Sequence, residues 1–189
     1  FICLIFFARV IFAFATFTTT MEAQKKDVNI TESQVVWKGY KVAGSHTGTI
    51  SIQAGTLEFN NNELVGGTFI MDMTTIGSTD LSGEYKEKLD GHLKSDDFFG
   101  VATYPTAHML FTQVTATGKN SYAVTGNLTI KGTTHPITFN VSVYGSKATA
   151  NLKIDRSKYN VRYGSTSFFD NLKDNVIYDE FDIVADLQF

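Results

Sequence analysis

Ile137, Phe139, Val141 and Val143 alternate without a break with Thr138, Asn140 and Ser142. Successive side chains of a β-strand point to opposite faces, so this pattern builds a strand with one dry and one wet side. The same period of two returns along the chain. Ala148, Ala150, Leu152 and Ile154 repeat it, and Phe181, Ile183, Ala185, Leu187 and Phe189 stand against Asp182, Asp186 and Gln188. Earlier, Phe69, Met71 and Met73 oppose Thr68, Ile70 and Asp72, and Ala107, Met109 and Phe111 form a further set. Thr49 to Ile52 alternates, with Leu57 and Phe59 continuing beyond a break at Gly55. Tyr122, Val124, Leu128 and Ile130 read as a strand pair interrupted at Gly126.

Short turn segments join these runs: Asn60-Asn61-Asn62, Thr117-Gly118-Lys119-Asn120 and Gly145-Ser146-Lys147. Asn and Gly tolerate the left-handed backbone that tight hairpins require, so the strands are predicted to be antiparallel. No strand–helix–strand crossover pattern is present, and the fold class is all-β. One helical segment breaks the series. Leu81, Tyr85, Leu89 and Leu93 recur every four residues, and Asp80 is placed to cap a short helix over 81–93. Gly83 and Gly91 weaken it. Residues 157–179 are polar and aromatic without a period and read as a long functional loop, with a helical turn around Phe168 to Leu172.

The chain has 189 residues, 43% of them hydrophobic, enough for one domain with a full core. Its net charge of -3 gives no support for nucleic-acid binding, which needs a basic excess. Residues 1–23 differ in character from the rest. FICLIFFARVIFAFATF is apolar but for Cys3, Arg9 and Thr16, and a polar stretch ending in Ala23 follows. This reads as the apolar part of a secretory signal peptide, cleaved after Ala23. The competing readings are a retained anchor and a true start at Met21. Cleavage would remove Cys3, the single cysteine, and leave residues 24–189 as one domain with no possible disulfide. A closed barrel, which has no free strand edges, suits an exported chain that must rely on its core.

Catalytic and metal-binding groups are weakly signalled. Asp96 and Asp97 are adjacent, but adjacent side chains diverge, and Ser95-Asp96 also fits a turn or cap. His46, His92, His108 and His135 lack any spacing that sets two imidazoles on one face. Ser45, Ser95 and Ser165 lie in no nucleophile motif. Asp155-Arg156 reads as a salt bridge or loop lock rather than a substrate clamp. No catalytic residue and no metal ligand is assigned, and nothing supports an enzyme. What remains is apolar surface. Trp37, Phe69, Met71, Phe98, Phe99, Met109, Phe111, Leu128, Ile130, Phe139, Phe181 and Ile183 are the candidate lining of a ligand tunnel. The same residues also suit a filled core, because a packed and a hollow barrel share one alternation.

Two segments go beyond pattern. HLKSDDFFG (His92 to Gly100), followed by YPTA (Tyr104 to Ala107), sets two aromatics, two carboxylates and a proline into one connection. GNLTIKGTTHPITF runs from Gly126 to Phe139, and SHTGT from Ser45 to Thr49. Together they resemble the signature of the YceI family, the lipocalin-like polyisoprenoid-binding proteins, over about Val35 to Phe189. DRSKYNVRYGS (Asp155 to Ser165) and SFFDNLKDNVIYDEF (Ser167 to Phe181) resemble the exported Bacteroidetes-type version. The resemblance implies an eight-stranded antiparallel lipocalin-like barrel, with its one short helix after a strand ending near Met73. It implies a tunnel that binds, sequesters or carries a long isoprenoid lipid or quinone, in the periplasm or secreted, with no other cofactor. Transient membrane contact for loading and a homodimer are compatible with it. The alternatives are a structural or stress-protective barrel with a filled interior and, below that, a metal-assisted lipid-modifying enzyme using His46 and His92.

Overall fold

In a computed structural model that describes residues 22–189, the alternating segments close on themselves. All but the last two residues of the proposed leader lie outside the described residues. The strands are β1 (Gln24–Asp27), β2 (Gln34–Lys41), β3 (Gly44–Asn60), β4 (Glu63–Ser78), β5 (Thr106–Gly118), β6 (Ser121–Ile130), β7 (Thr133–Tyr144), β8 (Lys147–Asp155) and β9 (Glu180–Gln188). Each of β2 to β9 pairs antiparallel with its sequence neighbour, and β9 returns to pair with β2 through Trp37 opposite Ile183. The result is the eight-stranded antiparallel barrel expected. β1 is an extra short strand, added to β3 where β2 has left it, with Gln24 opposite Phe59.

Several elements are longer than their sequence patterns suggested. β3 runs through Gly55 without a break, bending at register shifts between Thr49 and Ser51 and between Ile52 and Ala54. Such bulges add local twist, which lets a long strand wrap a barrel. β6 is one strand and not a pair broken at Gly126. A Cβ at that glycine would lie 2.6 Å from Met109 Sδ, so the position is a close approach between strands rather than a turn. β4 continues past Met73 to Ser78, because Met73 N–H donates to Pro105 O at 2.9 Å and Gly77 and Ser78 pair again with Thr49 and Gly48. The β3–β4 and β6–β7 turns place Asn61, Asn62, Lys131 and Gly132 at positive φ, as two-residue hairpin loops require.

The helix α1 spans Gly83–Lys94, with Ser82 at its N-cap position and no side-chain cap. Asp80 does not cap it. Its Oδ2 lies 3.1 Å from His46 Nδ1 on the β2–β3 hairpin side, which takes the carboxylate away from the helix amides. Leu93 is buried and Leu89 packs half-buried against the core, while Tyr85 on the same predicted stripe is exposed, so only the C-terminal half of the stripe reaches the barrel. Asp90 ties the helix to β4: it accepts from Ser78 N–H at 2.7 Å and from Lys86 Nζ at 2.8 Å.

Up-and-down topology sends alternate connections to opposite ends. One end carries the tight β3–β4, β5–β6 and β7–β8 turns, and the ring of Phe59 stacks on that of Phe189 at 5.3 Å. Lys26 Nζ stands 4.9 Å and 5.1 Å from the two rings. The other end carries the β2–β3 and β6–β7 hairpins, the β4–β5 connection with α1 and HLKSDDFFG, and the long β8–β9 connection. Both unusual segments of the sequence therefore meet at one mouth of the barrel. The β8–β9 connection forms 3-10 turns at Arg156–Tyr159 and Lys173–Asn175 rather than at Phe168 to Leu172.

Candidate functional site

Inward-facing residues of every barrel strand leave a cavity of about 130 Å3. Its walls are apolar but for His108, and include Ile52, Met73, Leu152 and Leu187. Native cores keep few voids larger than a water molecule, and an engineered apolar cavity of roughly 150 Å3 stays dry and binds benzene. A space of this size, apolar but for His108, suits hydrocarbon better than a polar or charged group.

Towards the loop-bearing mouth lies a second chamber of about 70 Å3. It is bounded by Trp37 and Tyr40 of β2, Ile76 of β4, Leu93 of α1, Phe98, Arg156, Ile177 and Tyr178. Ile50, Phe99 and Phe181 belong to both walls and so form the partition. Of the residues singled out from sequence, Phe69, Met71, Phe99, Met109, Phe111, Leu128, Ile130, Phe139, Phe181 and Ile183 line the larger chamber. Trp37 and Phe98 line the smaller one.

Phe98 and Phe99 are held by their own turn. Phe98 N–H donates to Ser95 O at 3.0 Å and Phe99 N–H to Leu93 O at 3.1 Å, and the two rings meet edge to face at 5.0 Å. Lys131 Nζ, from the β6–β7 hairpin, donates to Asp96 O at 2.8 Å and to Phe98 O at 2.7 Å. Burial lowers the pKa of that ammonium, and the charges of Asp96 and Asp97 oppose the shift. The two carboxylates are exposed and flank a surface groove of about 770 Å3 shared with Arg162, Tyr163 and Phe169.

Arg156 was legible in the sequence only as half of a pair, and it is the residue most underestimated there. It is buried, and Nε, Nη1 and Nη2 donate to the carbonyls of Tyr178 at 3.2 Å, Val161 at 2.9 Å and Ile177 at 2.9 Å. Its ion-pair partner is Asp179, at 3.4 Å from Nη2, whereas Asp155 accepts from Ser157 N–H and Oγ. Burial lowers its pKa, and the charges of Asp179 and Asp155 push back. The lock reading of Arg156 holds, with a different carboxylate. It pins the 161–179 strap across the smaller chamber.

The histidines do not converge. His46 pairs with Asp80, while the His92 ring meets Tyr163 edge to face at 4.3 Å and Phe98 at 5.5 Å. Among the described residues no three His, Cys, Asp or Glu side chains group to hold a metal. Nor is any helix among the described residues long and apolar enough to cross a membrane.

A closed antiparallel barrel with a dry interior defines a lipocalin-like protein. Residues 16–189 match the profile of the YceI-like domain, and the chain belongs to that family. It is similar in structure to BcnA of Burkholderia cenocepacia, with a TM-score of 0.67 and 25% identity over 85% of this chain and 98% of that one. It shares its fold with a polyisoprenoid binding domain from Saccharophagus degradans implicated in plant cell wall breakdown. There the TM-score is 0.59 at 16% identity, over 85% and 95% of the two chains. The YceI protein of Campylobacter jejuni matches at a TM-score of 0.56 and 16% identity, over 96% and 92%. A UPF0312 protein of Pseudomonas syringae pv. tomato is 34% identical over 87 residues, 42% of this chain and 45% of that protein. The matched segment thus spans under half the length of that relative.

Proposed function

We propose that this protein binds an amphiphile with a long isoprenoid tail, an isoprenoid lipid or a quinone, and carries or sequesters it outside the cytoplasm. The observation that carries the reading is the apolar cavity of about 130 Å3 inside a closed barrel. The tail is the main source of affinity. Each five-carbon unit gains on the order of 4 kcal/mol gross, at ~0.8 per buried carbon, before the cost of ordering the chain. Length therefore selects ligands more than any one contact does. A long tail needs more room than the resting cavity, and Met71, Met73 and Met109 in its wall have the flexible side chains that adapt most readily.

The interior surface supports the binding reading: its walls are hydrocarbon, with His108 the one polar residue among those lining the larger chamber. The leader is taken to be removed after Ala23, and the start of β1 at Gln24 supports that boundary. The sequence of that leader supports a periplasmic or secreted location. Loading from a membrane would deliver the tail through the loop-bearing mouth.

Organic extraction of the purified, folded protein followed by mass spectrometry tests the proposal. A prenylated compound at near-stoichiometric yield is the expected result. An empty extract from folded protein, together with failure to take up added prenyl lipid, would leave a structural barrel as the better reading.

A further inference from the structure

Exposed apolar side chains are not spread evenly over the barrel. Val42, Tyr104, Tyr163, Phe168, Phe169 and Tyr178 all stand exposed at the loop-bearing mouth. The tight-turn end exposes Ile30, Val65 and Tyr144, each beside a different connection. Phe168 and Phe169 are presented by a formed turn. Both of their N–H groups donate to Ser165 O, at 3.2 Å and 3.0 Å, and Ser167 Oγ ties the turn to Asp179 Oδ2 at 2.6 Å. Two rings held out in water by an ordered backbone mark a contact surface rather than a core.

The patch is continuous with the smaller chamber. Tyr178 is exposed and also lines that chamber, while the Tyr163 ring meets His92, which in turn meets Phe98 of the chamber wall. The charges of the strap balance. Within 161–178, Arg162 and Lys173 stand against Asp170 and Asp174, and the turn beneath adds exposed Asp96 and Asp97. Lys131 is spent on two carbonyls. Anionic membranes attract a basic excess, which the strap does not have. Aromatic rings with a polar tip settle at the level of lipid head groups. The Arg162 guanidinium, 4.9 Å from the centre of the Phe168 ring, can stay in water while that ring is buried.

β1 enters the barrel at the opposite end, where Gln24 lies across from Phe59. Whatever precedes Gln24 is therefore attached away from the mouth, and contact at the mouth has to come from the barrel's own surface. We infer that the strap, with Phe168 and Phe169 foremost, docks the mouth on a bilayer of uncharged or zwitterionic lipids. This rests on the carrier reading and deepens it, because a tail that is driven into an apolar bore is equally driven out of water. Docking lets it pass from bilayer to bore without crossing the solvent.

The exported form, residues 24–189, is the one to test, since vesicle binding then cannot come from the apolar residues 1–23. The vesicles are of phosphatidylcholine alone and of an equal mixture with phosphatidylglycerol. Co-flotation is expected with both, within about twofold of each other and without loss in high salt. The double variant Phe168→Ser with Phe169→Ser should cut it by at least about tenfold. It should also slow extraction of a farnesyl-substituted benzoquinone from the vesicles and leave uptake of that compound from cyclodextrin unchanged. In Phe169→Trp the emission should shift to the blue on vesicles and be quenched by brominated acyl chains, whereas Trp37 is buried in the barrel.

No flotation of the parent, or flotation only with phosphatidylglycerol, overturns the inference. So does a serine variant that floats like the parent, or a Phe169→Trp emission that vesicles leave unchanged. Loss of cyclodextrin uptake in a folded serine variant overturns it too, by placing the two rings in the ligand site. If the parent floats but takes up benzoquinone from neither source, the carrier reading fails and the membrane contact stands.

Discussion

The guanidinium carbon of Arg156 stands 5.4 Å from the centre of the Phe98 ring, joining the two longest connections of the barrel at one point. A desolvated cation over an aromatic face adds attraction to packing. Because Arg156 also binds the carbonyls of Val161, Ile177 and Tyr178, a single side chain fastens the strap to the aromatic turn beneath it.

Replacing Arg156 by Met keeps much of the apolar stem and removes every donor. Three carbonyls and the Asp179 carboxylate then lose their partner in a site where the arginine is 2% exposed. Loss of one member of a buried pair costs about 3–5 kcal/mol. Urea unfolding should show a drop of that order, and limited proteolysis should cut first within 161–179. Unchanged stability and an unchanged cleavage pattern would mean that the strap is held by other contacts.

Phe98 and Phe99 bound the chambers, whereas Tyr122, also buried, lines neither of them. Replacing both phenylalanines by Ser should therefore reduce retained prenyl lipid more than Tyr122→Ser does. The tyrosine variant controls for the general damage of placing a hydroxyl in a buried aromatic site. Lipid recovered per mole of folded protein is the measurement, and equal recovery from the two variants would remove the phenylalanines from the site.

The barrel could be read from the chain because alternation is a local property of strands. Ile137 to Val143 and Phe181 to Leu187 show their two faces in sequence and occupy β7 and β9. Gly126 misled for the opposite reason: its role depends on Met109 of the adjacent strand, and a contact across strands leaves no local mark. Asp80 likewise has good capping chemistry but a partner, His46, that is 34 residues away. Nor did periodicity separate a hollow barrel from a filled one, since cavity volume depends on how side chains of all strands meet. Arg156 was hidden because burial of a cation depends on carbonyls from a distant strap.

Asp90 should make the α1–β4 junction sensitive to acid. Burial pushes its pKa up, but hydrogen bonds from Lys86 and Ser78 outweigh that and leave it below the usual carboxylate value. A depressed folded pKa stabilises the fold above the unfolded value of roughly 4, and this contribution is lost as pH falls through the folded value. Asp90→Asn should thus be less stable than the parent near neutrality, by about 1 kcal/mol. The two stability curves should converge once pH has fallen through the depressed folded value of Asp90. Parallel curves from pH 7 to pH 2 would show that Asp90 carries no linkage.

Tyr159 provides the alkaline counterpart. It is 1% exposed, and its hydroxyl has no hydrogen-bond partner among the described residues. Burial, helped by the charge of Asp155, pushes its pKa up to about 12. The neutral phenol is favoured in the fold, so its contribution is complete below the unfolded value of roughly 10 and is lost as pH rises through the folded value. Tyr159→Phe removes the unpaired hydroxyl and keeps the ring, which sits edge to face with His135 at 5.5 Å. The variant should match or exceed the parent at pH 7, by up to about 1 kcal/mol. It should also lose less stability than the parent between roughly pH 10 and 12. Both are read from urea melts at fixed pH. A loss of more than about 1 kcal/mol at neutral pH would show that the hydroxyl is hydrogen-bonded in solution, for example to a buried water.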